Sequence, residues 1–286
     1  MTPPNLFLGL LLSVIIAALA YWRGSLSSSG VVGAIIVGTL IFAIGGLVWA
    51  VLLITFFVTS SALSHYQERA KEPLAEKFQK GHRRDIGQVL ANGGWGALLA
   101  LAFAFAPQPI LFVAFVGAMA AVNADTWATE LGVLSQRAPR LITNGKIVAV
   151  GTSGGVTRLG TFAAFCSALL IGVLAFIVPA ILDWFFPDLQ FAIPQGRFAV
   201  RNSLFLLPIA AFAGLLGSLF DSLLGATVQG IYYCDFDQKE TESALHRCGR
   251  ATRLIRGWRW LDNDWVNLLA SVVGSGIAVG MYWVVR

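Results

Sequence analysis

Three acids stand in stretches that are otherwise apolar. Asp125 and Glu130 belong to NADTWATELG (residues 123–132), and Asp221 lies within GSLFDSLLGATVQ (217–229). A carboxylate beside hydrocarbon is costly unless it meets a partner or a cation, so acids placed this way usually serve chemistry or transport. Between the two stretches comes a glycine-rich turn, Gly151-Thr152-Ser153-Gly154-Gly155, followed by Thr157 as a helix start. Such a turn, and the positive end of the helix after it, can aim backbone N–H groups at a phosphate. Together these features point to metal-assisted phosphate chemistry at a membrane surface. The turn is not a P-loop, because the Gly-Lys-Ser/Thr ending is missing. No Ser/His/Asp nucleophile set is apparent, and His65 and His82 fall in a polar loop where a solvated role is expected.

The elements that must position these residues are helices in a bilayer. Of the 286 residues, 57% are hydrophobic and 12% charged, with a mean hydropathy of +0.73, against about 25% charged in soluble domains. The apolar runs Leu6–Ala20, Val31–Ser60, Val89–Ala106, Gln108–Val122, Leu159–Leu182, Leu204–Val228 and Trp265–Val285 suit helical crossings of roughly 20 residues. No alternation typical of a transmembrane β-barrel is visible. The N-terminus lacks a basic signal-peptide region, so Leu6–Trp22 reads as a retained first helix. Val31–Ser60 is long for one untilted crossing, about 45 Å at 1.5 Å per residue, and Gly45-Gly46 near its middle suggests two shorter segments, 31–44 and 47–60. The expected fold is all-α: a polytopic membrane helical bundle of about 7–8 transmembrane segments with a small hairpin outside the bilayer, forming a single domain over 1–286.

Charge fixes the orientation. Arg23 and the loops at about 61–87, 131–158 and 231–263 hold 17 of the 20 basic residues, whereas Arg197, Arg201 and Arg286 fall on the other side. The positive-inside rule places the three basic loops in the cytoplasm and both termini outside. The net charge of +5 thus describes topology rather than affinity for nucleic acid. The loops share one face, where several helix mouths carry polar stripes. Arg84, Gln88 and Asn92 follow i, i+4, i+8 spacing, and Asn123, Thr126 and Glu130 follow i, i+3, i+7. Ser218, Asp221, Gly225 and Gln229 form a third stripe, and Asn263 and Asn267 open the last helix. For Gln88, Asn92 and Asn267 singly, interhelical hydrogen bonding is an equal reading. LITNGKIV (141–148) has Asn-Gly between β-formers, a hairpin signal that would present Lys146. The three cysteines are Cys166, in an apolar helix, Cys234 and Cys248. They form no disulfide framework, and with His246 the last two offer only three ligands at no standard zinc spacing.

The strings QVLANGG (88–94), NADTWATELG (123–132), GTSGGVTRLGT (151–161), GSLFDSLLGATVQ (217–229) and NDWVN (263–267) resemble the membrane family of phytyl-phosphate kinases, over about residues 25–280. That resemblance implies transfer of a phosphoryl group from a nucleoside triphosphate to an isoprenoid monophosphate such as phytyl phosphate, giving the diphosphate, as in tocopherol synthesis. CTP is the donor suggested by a more distant similarity to CTP-using membrane enzymes. On this reading Asp125 and Asp221, with Glu130 as a third, hold Mg²⁺. Lys146, Arg158 and the amides of Thr152, Ser153, Gly154 and Gly155 bind nucleotide phosphates. Arg84, Gln88 and Asn92 orient acceptor or donor, and Asn123, Ser218, Gln229, Asn263 and Asn267 complete the binding surface. The isoprenoid tail lies among the helices, open to lipid.

Two other readings compete. The same groups could deliver CMP to a lipid phosphate, releasing pyrophosphate. A transporter with broken helices and acids along an ion path is the third, favoured by Gly45-Gly46 and Asp221 but not by any repeat between the two halves. The oligomeric state is not written in the chain.

Overall fold

A computed structural model describes residues 3–67, 83–185, 204–246 and 248–285. His82, Arg69, Lys71, Lys77 and Lys80 of the first basic loop, Arg197 and Arg201, Arg247 and Arg286 lie outside the described residues.

Among the described residues, seven helices are long and apolar enough to cross a membrane. They are α1 (Pro3–Trp22), α2 (Ser28–His65), α3 (Ile86–Phe105), α4 (Pro109–Gly132), α5 (Arg158–Phe185), α6 (Leu206–Thr227) and α7 (Asn263–Val285). The protein is an all-α polytopic bundle. Small strands decorate one end: β1 (Arg140–Leu141) pairs antiparallel with β2 (Gly155–Val156), and β3 (Ile231–Cys234) lies between β4 (Lys239–Thr241) and β5 (Arg253–Arg256).

α2 is one helix by hydrogen bonding, but it folds back on itself. Gly46 has φ 75° and ψ −167°, a region open essentially only to glycine. The two ends of α2 meet at one residue. The Ser27 amide, at its N-cap, donates to the Arg84 carbonyl at 3.0 Å, and the Arg84 guanidinium donates to Ser61 Oγ at 3.3 Å, near the other end. In a straight helix, positions 27 and 61 would be separated by about 50 Å. Val37 and Leu53, one from each arm, also flank Gly93 of α3. The bend is braced by Trp49, whose ring stacks on Phe115 with centroids 4.4 Å apart and tilts against Phe103 and Phe112. Counting its arms separately, eight apolar segments result, as the Gly45-Gly46 break predicts.

α4 forms the centre of the bundle and packs along α5, α6 and α7. Every residue from Phe112 to Ala124 is buried. Hydrocarbon gives helices no hydrophobic drive to associate, so close packing of small residues and interhelical hydrogen bonds must hold them. Both occur here. A Cβ on Gly117 would lie 2.5 Å from the Gly274 carbonyl oxygen, so α4 and α7 touch backbone to backbone. Beside that contact Ser275 Oγ donates to the Ala114 carbonyl at 2.8 Å and accepts from Trp95 Nε1 at 2.9 Å.

The Asn144-Gly145 hairpin is smaller than its sequence suggests. Gly145 adopts φ +69° and Leu141 N donates to the Lys146 carbonyl at 2.9 Å, but only one bridge, Arg140 with Ile147, follows. Strand β1 takes its main partner, β2, from beyond the glycine-rich turn.

Gly46→Ala is expected to lower stability by about 1–3 kcal/mol, the cost of forcing a side chain into that backbone region. Gly276→Ala, in a helical site with open space around it, should be neutral or slightly stabilising. Thermal unfolding of the two variants in one detergent checks this, and an unchanged midpoint for Gly46→Ala would place the bend elsewhere.

Candidate functional site

The ends of α2, the start of α3, the end of α4, the start of α5, the end of α6 and the start of α7 come together at one end of the bundle. They enclose a cavity of about 300 Å³. Among the described residues, its charged lining consists of five acids, Asp125, Glu130, Asp221, Glu242 and Asp264, and one arginine, Arg84.

Asp125 projects from the last turns of α4 and accepts a hydrogen bond from Ser218 of α6. Asp221 lies one turn further along α6, close enough to Asp125 and Glu242 for both charges to act on it. Its Oδ2 is buried without a hydrogen-bond partner among the described residues. An unpaired oxygen among carboxylates is what an oxygen-preferring divalent cation would complete. The donor set is all oxygen, which suits Mg²⁺ and disfavours softer metals. Five positions separate Glu130 from Asp125, which turns it to another side of α4. It accepts from Ser64 Oγ at 2.6 Å and its charge acts on Arg84, so it stands on the arginine's side of the cavity.

Arg84 precedes α3 and is fixed through its backbone to both Ser25 and Ser27. Its guanidinium sits over the Phe56 and Phe57 rings, 5.6 Å from each centroid. Burial pulls its pKa down to about 10, with the Glu130 charge opposing the shift, so it is cationic at neutral pH. Gln88 and Asp85 form a capping box at the start of α3, using Gln88 Oε1 and its backbone amide. Asn92 Nδ2 donates to the Gln88 carbonyl at 2.9 Å. Arg84, Gln88 and Asn92 also line a second cavity of about 110 Å³, otherwise almost wholly apolar, between α1, both arms of α2 and α3. These three residues thus belong to the linings of both the polar cavity and the hydrocarbon-lined one.

The glycine-rich turn lines the polar cavity, though it offers fewer donors than expected. The Thr152 and Gly155 amides are spent on Ala149 and Thr152 carbonyls, at 3.1 and 2.9 Å. Of the four amides from Thr152 to Gly155, those of Ser153 and Gly154 have no hydrogen bond among the described residues. Gly154, at φ +81°, is needed for close approach: a Cβ there would lie 2.5 Å from the Ala226 nitrogen of α6. Ser153 Oγ donates to Gln229 Oε1 at 2.8 Å and Gln229 Nε2 donates to Glu242 Oε1 at 3.1 Å. Gln229, buried at 2% exposure, therefore ties the turn to the three-stranded sheet. Thr157 caps α5 by accepting from the Gly160 amide at 3.0 Å. Asn263 and Asn267 line the cavity from α7.

Three residues expected at the site lie elsewhere. Lys146 is exposed at the turn tip and Arg158 is exposed at the start of α5; neither lines the cavity. Asn123 is fully buried in the bundle, where Oδ1 accepts from Thr59 Oγ1 and Nδ2 donates to the Ser167 carbonyl, both at 3.1 Å. It joins α2, α4 and α5, so its place is that of interhelical glue. Glu242 and Asp264 are the acids that sequence reasoning passed over. Asp264 sits inside NDWVN, so that string held a signal, whereas Glu242 looks like any loop acid.

Fold and site define a multi-pass helical membrane protein with an acid-rich cavity at the helix ends on one face of the bundle. The chain belongs to the family of integral membrane proteins DUF92, which it matches over residues 11–275. It is 33% identical to protein PGR of Arabidopsis thaliana, covering 95% of this chain and 94% of that one. To an uncharacterized membrane protein of Methanocaldococcus jannaschii it is 28% identical, covering 97% and 94%. To the chloroplastic protein VTE6 of Arabidopsis thaliana it is 25% identical, covering 90% and 65%. No solved structure matches the chain significantly.

Asn123→Ala should cost about 1–3 kcal/mol by leaving buried partners unsatisfied. The check is the unfolding midpoint in detergent, and a midpoint equal to that of the parent protein would remove Asn123 from the bundle's polar glue.

Proposed function

We propose that the protein transfers a phosphoryl group from a nucleoside triphosphate, with CTP the first candidate, to an isoprenoid monophosphate such as phytyl phosphate. One observation carries this reading: among the described residues, five carboxylates and a single arginine line a cavity that shares Arg84, Gln88 and Asn92 with an apolar one. A triphosphate brought into so negative a site by the protein alone would be repelled, so its charge calls for divalent cations. With Lys146 and Arg158 outside the cavity, that need is stronger than the sequence implies.

Asp125 and Asp221 are assigned to hold Mg²⁺, with Glu242 nearby. When bound, the ion would draw phosphate oxygens together and offset charge in a loose transition state. Arg84 is assigned to the acceptor phosphate, with Gln88 and Asn92 orienting it at the junction of the two cavities. Glu130 and Ser64 hold the arginine's surroundings in place. The Ser153 and Gly154 amides and the N-terminus of α5, capped by Thr157, face the donor phosphates. The first part of the isoprenoid chain enters the apolar cavity beside Leu12, Ile16, Phe42, Leu53 and Phe57, and the remainder extends into lipid. An acceptor phosphate oxygen attacks the γ-phosphorus, the bond to the β-phosphate oxygen breaks, and a nucleoside diphosphate leaves. The attacking oxygen is already anionic, so no general base is required. The family and its resemblance to phytyl-phosphate kinases support this chemistry, and the basic loops on the cavity side support a cytoplasmic active face.

Purified protein in detergent with Mg²⁺, labelled phytyl monophosphate and each nucleoside triphosphate in turn tests the reading. The expected products are phytyl diphosphate and a nucleoside diphosphate. Pyrophosphate with a nucleotide–lipid adduct would replace it by nucleotidyl transfer, and movement of substrate into sealed vesicles without nucleotide use would replace it by transport. Asp125→Asn and Asp221→Asn should each lower turnover by about 10²-fold or more, in line with losing one preorganised electrostatic group. Lys146→Ala should stay within about threefold of the parent rate, less than 1 kcal/mol on the barrier.

A further inference from the structure

The three-stranded sheet beside the cavity has only a small apolar core, built on Ile231 and Tyr232 of β3. β5 is largely exposed, with Leu254 and Ile255 about 40% accessible, and Phe236 and Leu245 stand out at 62%. What is buried instead includes Cys234 at 1% and His246 at 4% exposure. Small modules short of hydrophobic core are commonly held by a disulfide or a structural metal.

Four side chains converge at that point. Cys234 ends β3, Asp237 follows in the β3–β4 turn, and His246 and Cys248 flank a later tight turn. That turn is closed by the His246 amide on the Arg250 carbonyl and the Gly249 amide on the His246 carbonyl, both 2.9 Å. One ligand atom from each of the four lies within 4.8 Å of every other. Cys234 Sγ and Cys248 Sγ are 3.7 Å apart, and both cysteines are free. Two thiolates at about 2.3 Å from a tetrahedral ion have sulfurs about 3.8 Å apart. Asp237 Oδ2 is 2.8 Å from His246 Nδ1, while His246 Nε2 is buried with no hydrogen-bond partner among the described residues. The sequence offered only three ligands; folding adds Asp237 as the fourth.

We propose that Cys234, Asp237, His246 and Cys248 bind one zinc ion as a closed structural site. Two soft thiolates with an imidazole and a carboxylate in four-coordinate reach select zinc over the oxygen-preferring ions suited to the polar cavity. Binding releases the two thiol protons and leaves the cluster with one net negative charge. The site clasps the β3–β4 hairpin to the His246–Cys248 turn. It thereby fixes the start of the segment carrying Glu242, which Gln229 connects to the glycine-rich turn.

The test is metal analysis of the full-length protein, purified under reducing conditions in detergent after removal of any histidine tag. About one zinc per chain is expected. Cys234→Ser and Cys248→Ser should each lose it, Cys166→Ser should keep it, and Asp237→Cys should hold it longer against a chelator. Should the serine variants fail to fold, cobalt substitution of the parent protein still decides, through a thiolate-to-cobalt charge-transfer band. A parent protein with neither zinc nor that band after reconstitution would overturn the site. So would undiminished zinc in a folded Cys234→Ser/Cys248→Ser protein, or a Cys234–Cys248 disulfide in protein kept reduced.

Discussion

Negative charge gathered at the ends of apolar helices is the constraint on which the rest of the structure depends. Asp125 and Glu242 both lie within electrostatic reach of Asp221, and Asp264 and Glu130 line the same cavity. Carboxylates in such surroundings raise the free energy of the fold unless donors or cations compensate them. Part of that compensation comes from hydrogen-bond donors: Ser218 donates to Asp125, Ser64 to Glu130, Gln229 to Glu242. Arg84 is the one cationic side chain in the lining among the described residues. Acids gathered at such a place are common where function rather than stability sets the residue.

Holding those acids requires helices that do not yield. α4 supplies this by burying the whole stretch from Phe112 to Ala124. The close contact of Gly117 with Gly274, together with the Ser275 and Asn123 hydrogen bonds, fixes how far α4 can rotate or slide. Rotation of α4 by a fraction of a turn would carry Asp125 out of the cavity. The small residues in the centre of the bundle therefore act on the chemistry at its end.

Arg84 joins the two environments. The fold-back of α2 at Gly46 returns Ser61, Phe56 and Phe57 to the residue that Ser27 already engages. One guanidinium thereby stands between an acid-rich cavity and an apolar one. A ligand with an anionic head and a hydrocarbon tail matches this division, with both parts served by adjoining surfaces. Outside the bilayer, the three-stranded sheet brings Glu242 to the same place, with Arg256 anchoring it to the Gly225 carbonyl of α6 at 2.8 Å.

The sequence by itself determined which segments are apolar enough to cross, that the basic loops share one face, and that Gly45-Gly46 divides α2. These are legible because hydropathy and charge are sums over local residues, and a glycine pair weakens a helix wherever the chain goes. It also marked Asp125 and Asp221, because an ionised group in an apolar run is conspicuous without knowledge of its neighbours. Tertiary structure alone decided which polar residues converge. Asn123 reads like a site residue but turns into the bundle, and Glu130 turns toward Arg84. Lys146 and Arg158, near in sequence to the glycine-rich turn, are exposed and do not line the cavity, while Glu242 arrives from an unremarkable loop and Asp237 joins Cys234, His246 and Cys248 in one cluster. The physical reason is that convergence depends on helix rotation and on how loops dock, which are fixed by packing between segments far apart in the chain.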